Sequence, residues 1–205
     1  MITPPERSPE RDDALEALLP NVPFDGWTYR ALRVGLVSRG VAPEEAKLLF
    51  AGGAPDMIEA FSDWADRRMT QAAAAETEGM KLADRVRALI MLRLRQNRPY
   101  REAVRRAVAV LSLPRNVRLA ATCTARTVDA IWHAAGDRST DFSWYTKRAI
   151  LTPIYTATVL FWLRDTSEDD EATLAFLNRR LATVALVGTL RRRVEKAVRG
   201  QWRAS

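Results

Sequence analysis

The chain of 205 residues carries 32 lysines and arginines against 25 aspartates and glutamates, with one cysteine, one histidine and a formal net charge of +7. That length supports one substantial core, burying on the order of 70% of the unfolded surface with no covalent staple. Cys123 alone excludes an intrachain disulfide and His133 alone leaves no metal-ligand cluster, so both are expected as packed helix residues.

The positive charge is unevenly placed: residues 1–78 net −6, 79–118 net +9, 119–173 net −3 and 174–205 net +7. The amino terminus, MITPPERSPERDD, has neither an apolar h-region nor an Arg-rich, acid-poor character. With no targeting segment, a cytoplasmic, bacterial-type chain is the expectation.

Met1 to Pro9 reads as a disordered lead, because Pro4, Pro5 and Pro9 break any helix and nothing apolar follows until Leu15. A short helix is predicted from Glu10 to Leu19, followed by a turn-rich connection over Pro20 to Gly26. Trp27 to Arg39 makes a second helix stopped by Gly40, and Pro43 to Phe50 a third. Helix, turn, helix is the outline of a DNA-reading unit. Its reading helix, however, would start with Glu44 and Glu45 and offer only Lys47 to phosphates. No nucleic acid is therefore expected as a partner.

A long helix follows from about Pro55 to the alanine tract at 72–75, with Met57, Ile58, Phe61, Trp64 and Ala65 at core spacing and Gly79 as its end. Lys81 to Gln96 is amphipathic, setting Val86, Leu89, Ile90 and Leu94 against a basic face of Arg85, Arg87, Arg93 and Arg95. That face reads either as solvated or as attracting acidic headgroups or an acidic partner. Tyr100 to Leu113 turns Val104, Val108 and Leu111 inward. Asn116 to Ala135 places Leu119, Val128, Ile131 and Trp132 on one side before Gly136 stops it. No segment alternates with period two over strand length, so the fold class is all-α.

Between Arg148 and Arg164 no residue is charged, yet the run is shorter than the about 20 apolar residues of a membrane span and contains Pro153. It predicts a central helix. Ser139, Thr140 and Asp141 are candidate amino-terminal caps, and a carboxylate there meets the positive end of the helix dipole. Trp144, Arg148, Leu151, Tyr155 and Trp162 share one face at 3.6 residues per turn. Leu151, Tyr155 and Trp162 are expected as core. Trp144 and Tyr145, in the first turn beside Lys147 and Arg148, are expected near solvent as aromatic interface anchors diverging by about 100°. Pro153, lacking an amide proton, is expected to kink the helix. Thr166 and Ser167 then precede an acidic first turn of a helix running to Val187.

Taken together, DRSTDFSWYTKR, the uncharged helix and RDTSEDDEATLAFLNRRL resemble the signature of the ubiquinone (coenzyme Q) biosynthesis accessory protein family. The similarity continues, more thinly, from the amino-terminal helices to Leu181. It departs at Glu168, where the family usually has a proline. The resemblance implies a TetR-repressor-like helical bundle with a vestigial helix-turn-helix, with no catalysis and no cofactor. It implies binding of an isoprenoid quinone precursor, or a phospholipid in its place, and help to the pathway's di-iron hydroxylase at the inner membrane surface. The implied partner patch is Asp141, Trp144, Tyr145, Lys147 and Arg148. Candidate lipid-lining residues are Ile131, Trp132, Ile154, Leu160 and Phe161, a set that would equally describe an ordinary core.

The domain plan expected is one helical domain over 10–187, with a helix-turn-helix-like part at 10–53, a lipid-binding bundle at 54–187 and a basic tail helix at 188–205. In that tail Leu190, Val194 and Val198 form a stripe closed by Trp202 and edged by Arg191 and Arg192. Such a helix lies in a membrane interface or docks on its own core, and membrane contact is the family-like reading. No nucleophile with a base, carboxylate pair or phosphate-binding loop stands at recognisable spacing, so an enzyme is not predicted. A ligand-responsive TetR-type regulator is the alternative, and a homodimer stays open.

Overall fold

Ser8 opens the first helix. In the computed structural model, which describes residues 3–137 and 142–183, its hydroxyl accepts from the Arg11 amide and Pro9 takes the first helical position. Helix α1 therefore runs Pro9–Leu18. The expected turn-rich connection is instead a 3-10 turn, Leu19–Asn21, and a one-turn helix α2, Val22–Asp25, stopped by Gly26 at φ 70°. Proline at the first positions of a helix costs no hydrogen bond, so Pro20 and Pro23 begin turns here instead of breaking them.

Helix α3, Tyr29–Ser38, is capped by Thr28, and the reading element shrinks to a 3-10 turn, Pro43–Glu45, and one turn of α4, Ala46–Leu49. The chain then lays down α5, Ala54–Glu76; α6, Leu82–Gln96; α7, Arg101–Leu111; and α8, Val117–Ala134. Helix α9 is Phe142–Trp162 and runs through Pro153; α10 covers 171–183. Every described element is helical, as the all-α reading requires. The contacts gather into two compact units, residues 1–148 and 149–205.

In the first unit, Met57, Ile58, Phe61, Trp64 and Ala65 of α5 pack with Leu15 and Leu18 of α1, Leu32 and Leu36 of α3, and Ala103 and Ala107 of α7. An aromatic row crosses this core: Trp27 to Phe61 at 5.4 Å, Phe61 to Trp64 at 6.1 Å, and Trp64 to Tyr100 at 6.0 Å between ring centroids. Each pair adds about 0.5–1.5 kcal/mol beyond its buried area. The Trp27 indole donates to the Ala103 carbonyl at 3.0 Å, so its one polar atom is satisfied indoors. Gly35 lets α3 cross α1 closely, since a Cβ there would sit 2.3 Å from the Ala17 carbonyl oxygen.

Charged side chains stitch the same unit. Arg11 is buried; it donates to the Leu49 carbonyl, pairs with Asp56 at 2.6 Å and lies 4.4 Å from the Phe50 ring centroid. The lead before α1 is held by Arg7, which forks onto Asp63 at 2.6 and 2.8 Å. Arg67 forks onto Asp12 at 2.6 and 2.8 Å. Arg93, read on a basic face that was either solvated or open to an acidic partner, is instead buried and donates to Asp66 at 2.6 Å, where Thr127 also donates to the same carboxylate. His133, expected to be packed, is exposed, whereas Cys123 is buried and its thiol is pushed up to about 11 by desolvation.

The second unit is organised by Asp165. One carboxylate oxygen accepts from the Ser167 amide at 2.8 Å and hydroxyl at 2.6 Å; the other accepts from the Thr173 amide at 2.8 Å and hydroxyl at 2.5 Å. Burial works to raise this carboxyl, but the four donors outweigh it and hold the group down at about 2. Thr166 and Ser167 with the acidic turn after them were expected to start the next helix; the residue that ties the start together is Asp165. Phe161 stacks on Phe176 at 4.5 Å, and Leu177 is fully buried.

Candidate functional site

The aromatic and basic residues singled out in the sequence meet at the carboxy-terminal end of α8 and the first turns of α9. Gly136, at φ 85°, ends α8, and the Asp137 amide returns to the Trp132 carbonyl at 3.0 Å. That turn points Asp137 toward α9. Lys147 Nζ pairs with Asp137 Oδ1 at 2.7 Å and sits 5.5 Å from the Trp132 ring centroid. Arg148 reaches Asp129 of α8 through Nε at 2.6 Å and Nη2 at 2.5 Å, and Asp137 through Nη1 at 3.9 Å. Its guanidinium lies 3.8 Å from the Trp144 centroid, a cation–π stack.

Two cations therefore face two carboxylates, and the corner neutralises itself. This corrects the expectation that Arg148 is offered to an acidic partner: only 14% of its side chain is exposed and its planar fork is already engaged within the corner. The two aromatics also do not diverge freely, since Trp144 and Tyr145 meet edge to face at 4.8 Å. Trp144 is half-buried. Tyr145, 67% exposed, is the side chain left for an outside contact. Asp129 and Asp137 were missed in the sequence; the signal was present as two carboxylates flanking Trp132, but nothing in spacing tells which cation a surface carboxylate will meet.

Asp141, and the tail residues Leu190, Val194, Val198, Trp202, Arg191 and Arg192, lie outside the described residues. Of the lipid-lining candidates, Ile131 is fully buried and Trp132 partly buried in the first unit. In the second unit Ile154 is buried and Phe161 is half-covered by Phe176, but Leu160 is 48% exposed and does not serve as an interior residue. Among the described residues no three His, Cys, Asp or Glu side chains gather as a metal site, and no helix is long and apolar enough to cross a membrane. Both carboxylates of the corner, Asp129 and Asp137, are engaged by its cations. Tyr145 stands exposed at this corner, with Trp144 half-buried against Arg148.

The fold and this corner define an all-α protein of the TetR-like type. A TetR transcriptional regulator from Nitrosomonas europaea aligns with a TM-score of 0.70 and 26% identity, covering 87% of this chain and 99% of the regulator. The COQ9 family profile matches residues 117–188, which hold α8, α9 and α10. The mitochondrial ubiquinone biosynthesis protein COQ9 of Schizosaccharomyces pombe is 34% identical over 86% of this chain and 70% of its own length. The human and Xenopus tropicalis proteins of the same name are 34% and 35% identical over 88% and 85% of this chain. The chain spans 59% and 57% of those two relatives. It belongs to the COQ9 family.

Proposed function

We propose that this protein is a non-catalytic accessory factor of ubiquinone biosynthesis. It binds an isoprenoid quinone precursor, or a phospholipid standing in for it, and presents it to the pathway's di-iron hydroxylase at a membrane surface. Membership of the COQ9 family carries the reading, because the profile covers the helices that form the α8–α9 corner. The exposed Tyr145 edge supports the corner as the docking surface. The mitochondrial names of the relatives support a membrane-bounded setting, and the stripe of Leu190, Val194 and Val198 edged by arginines supports the basic tail at 188–205 as the anchor. Organic extraction of the purified protein followed by mass spectrometry is expected to release a polyprenyl quinone precursor or a phospholipid. Native spectra with only the polypeptide mass, from several preparations, would overturn the lipid-carrying role.

A second reading is a ligand-responsive DNA-binding regulator, favoured by the structural likeness to the Nitrosomonas regulator. The exposed Glu44 and Glu45 at the start of the reading element argue against it, since phosphate neutralisation supplies even non-specific affinity.

A further inference from the structure

Between Glu102 and Asp129 the chain carries five arginines and no carboxylate; Arg105 and Arg106 pair with Glu102 and Arg126 with Glu59, while Arg115 and Arg118 lie where the stretch folds back on itself at Ser112 to Arg118. The tip of that corner is apolar and open: Leu113 is 39% exposed and Val117 62%, with Arg115 and Arg118 exposed beside them in sequence. We propose that this α7–α8 corner is a membrane-contact site that seats Leu113 and Val117 in the interfacial layer of an anionic bilayer, with Arg115 and Arg118 on the lipid phosphates. The site is distinct in sequence from the basic tail and independent of the ubiquinone reading.

Backbone chemistry permits such an insertion. Amide groups that leave water unpaired are costly in an apolar layer. Here the Ser112 amide bonds to Val108, Leu113 to Val110, Asn116 to Leu113 and Val117 to Pro114, while Pro114 has no amide proton. The buried Asn116 side chain donates to the Val110 carbonyl at 2.8 Å and the Ser112 hydroxyl to Val108 at 2.7 Å, so the corner is braced from within. It can thus present two aliphatic side chains without unfolding.

The composition selects a lipid surface over a nucleic acid. Single strands are held by aromatic platforms on which bases stack, and no aromatic residue occurs between Tyr100 and Trp132. Duplexes reward arginines but gain nothing from an exposed Leu and Val at the tip. An anionic membrane rewards both: apolar side chains enter the interface and each nearby basic residue strengthens partition several-fold.

Single-site labelling locates the contact. The buried Cys123, with its thiol raised to about 11, reacts poorly, so an introduced cysteine takes an environment-sensitive dye selectively. Full-length Val117→Cys carries the probe. Glu78→Cys is the control, because Arg85 binds the Met80 and Ala135 carbonyls and so ties the α5–α6 connection to the far end of α8, about 27 Å from Val117. With vesicles of phosphatidylcholine containing a third phosphatidylglycerol, the dye at 117 is expected to shift blue, brighten and be quenched by lipids spin-labelled near the headgroup. The dye at 78 is expected to stay in water. Leu113→Asp with Val117→Asp, and separately Arg115→Gln with Arg118→Gln, should each weaken vesicle binding about tenfold. Vesicle flotation without a response at 117 would overturn the proposal and leave the tail as the anchor. A response to duplex or single-stranded nucleic acid but not to vesicles, or an equal response at both positions, would overturn it as well.

Discussion

Tyr145 and Trp144 occupy neighbouring positions yet have different roles, and the difference is measurable. Tyr145 is largely exposed, so Tyr145→Ala should leave the melting temperature nearly unchanged, and under the proposed function it should lower affinity for the hydroxylase by about 2 kcal/mol, the loss typical of an interface anchor. Trp144 lies under the Arg148 guanidinium at 3.8 Å, so Trp144→Ala should also cost about 1–2 kcal/mol of stability. Thermal unfolding and a binding titration separate the two. Wild-type affinity in a folded double variant would remove the docking surface. That this turn carries an exposed aromatic was legible from the pair's place beside Lys147 and Arg148. That Arg148 is engaged internally was not, because Asp129 and Asp137 come from another helix.

Asp165 gives a pH signature. Its carboxyl is held at about 2, below the ordinary 3.8, so the stabilisation it provides is fully present above about pH 4 and is lost as the pH falls through 2. Asp165→Asn should destabilise by about 1–2 kcal/mol at neutral pH, since the amide replaces one acceptor oxygen with a donor facing donors, and should flatten the acid limb of the stability profile. Acid titration of unfolding in both proteins reads this directly. An unchanged acid limb would count against Asp165 as its source.

At the scale of elements, α5, α6 and α8 are joined by a buried polar cluster of Asp66, Arg93 and Thr127, of which Arg93 was read on a basic face. Burial pushes the Asp66 carboxyl up, against the pull of Arg93 and the Thr127 hydroxyl. Arg93→Ala leaves that carboxylate buried and uncompensated, and should cost about 3–5 kcal/mol. The sign of the pH dependence follows: the variant's Asp66 titrates above its unfolded value, so its deficit shrinks toward acid and grows as the pH rises. Denaturant unfolding at two pH values checks it. Helical periodicity could place Val86, Leu89, Ile90 and Leu94 inside, and they are inside. It could not show that Arg93, in the same helix, finds a carboxylate within the core.

Where α1 and α3 cross, the tolerance is smaller still. Gly35→Ala would place a methyl group against the Ala17 backbone, which has no rotamer by which to yield, and should cost about 2–3 kcal/mol. For a chain of this size that lowers the melting temperature by roughly 5–10 °C. A variant melting within a degree or two of wild type would show that the crossing relaxes freely.

Across the whole molecule, helix order and the core residues of α5 were legible because glycines, prolines and a 3.6 period mark them locally. The division at Arg148 was not, since it falls inside an unbroken helix whose sequence carries no boundary signal. The reading element is one helical turn preceded by Glu44 and Glu45. No duplex binding is therefore expected by fluorescence anisotropy at low salt, and sub-micromolar affinity falling steeply with salt would refute this.

Arg11 ties α1 to the end of α4 and the beginning of α5 with one side chain. In the language of linkage, a ligand moves a distant element only if that element has a second arrangement to which the ligand is differently bound. The Arg11 clamp makes the helix-turn-helix and the start of α5 one mechanical body, so α4 cannot switch alone. Hydrogen exchange should accordingly report protection changes in α4 and the first turns of α5 together or in neither, whatever occupies the rest of the protein.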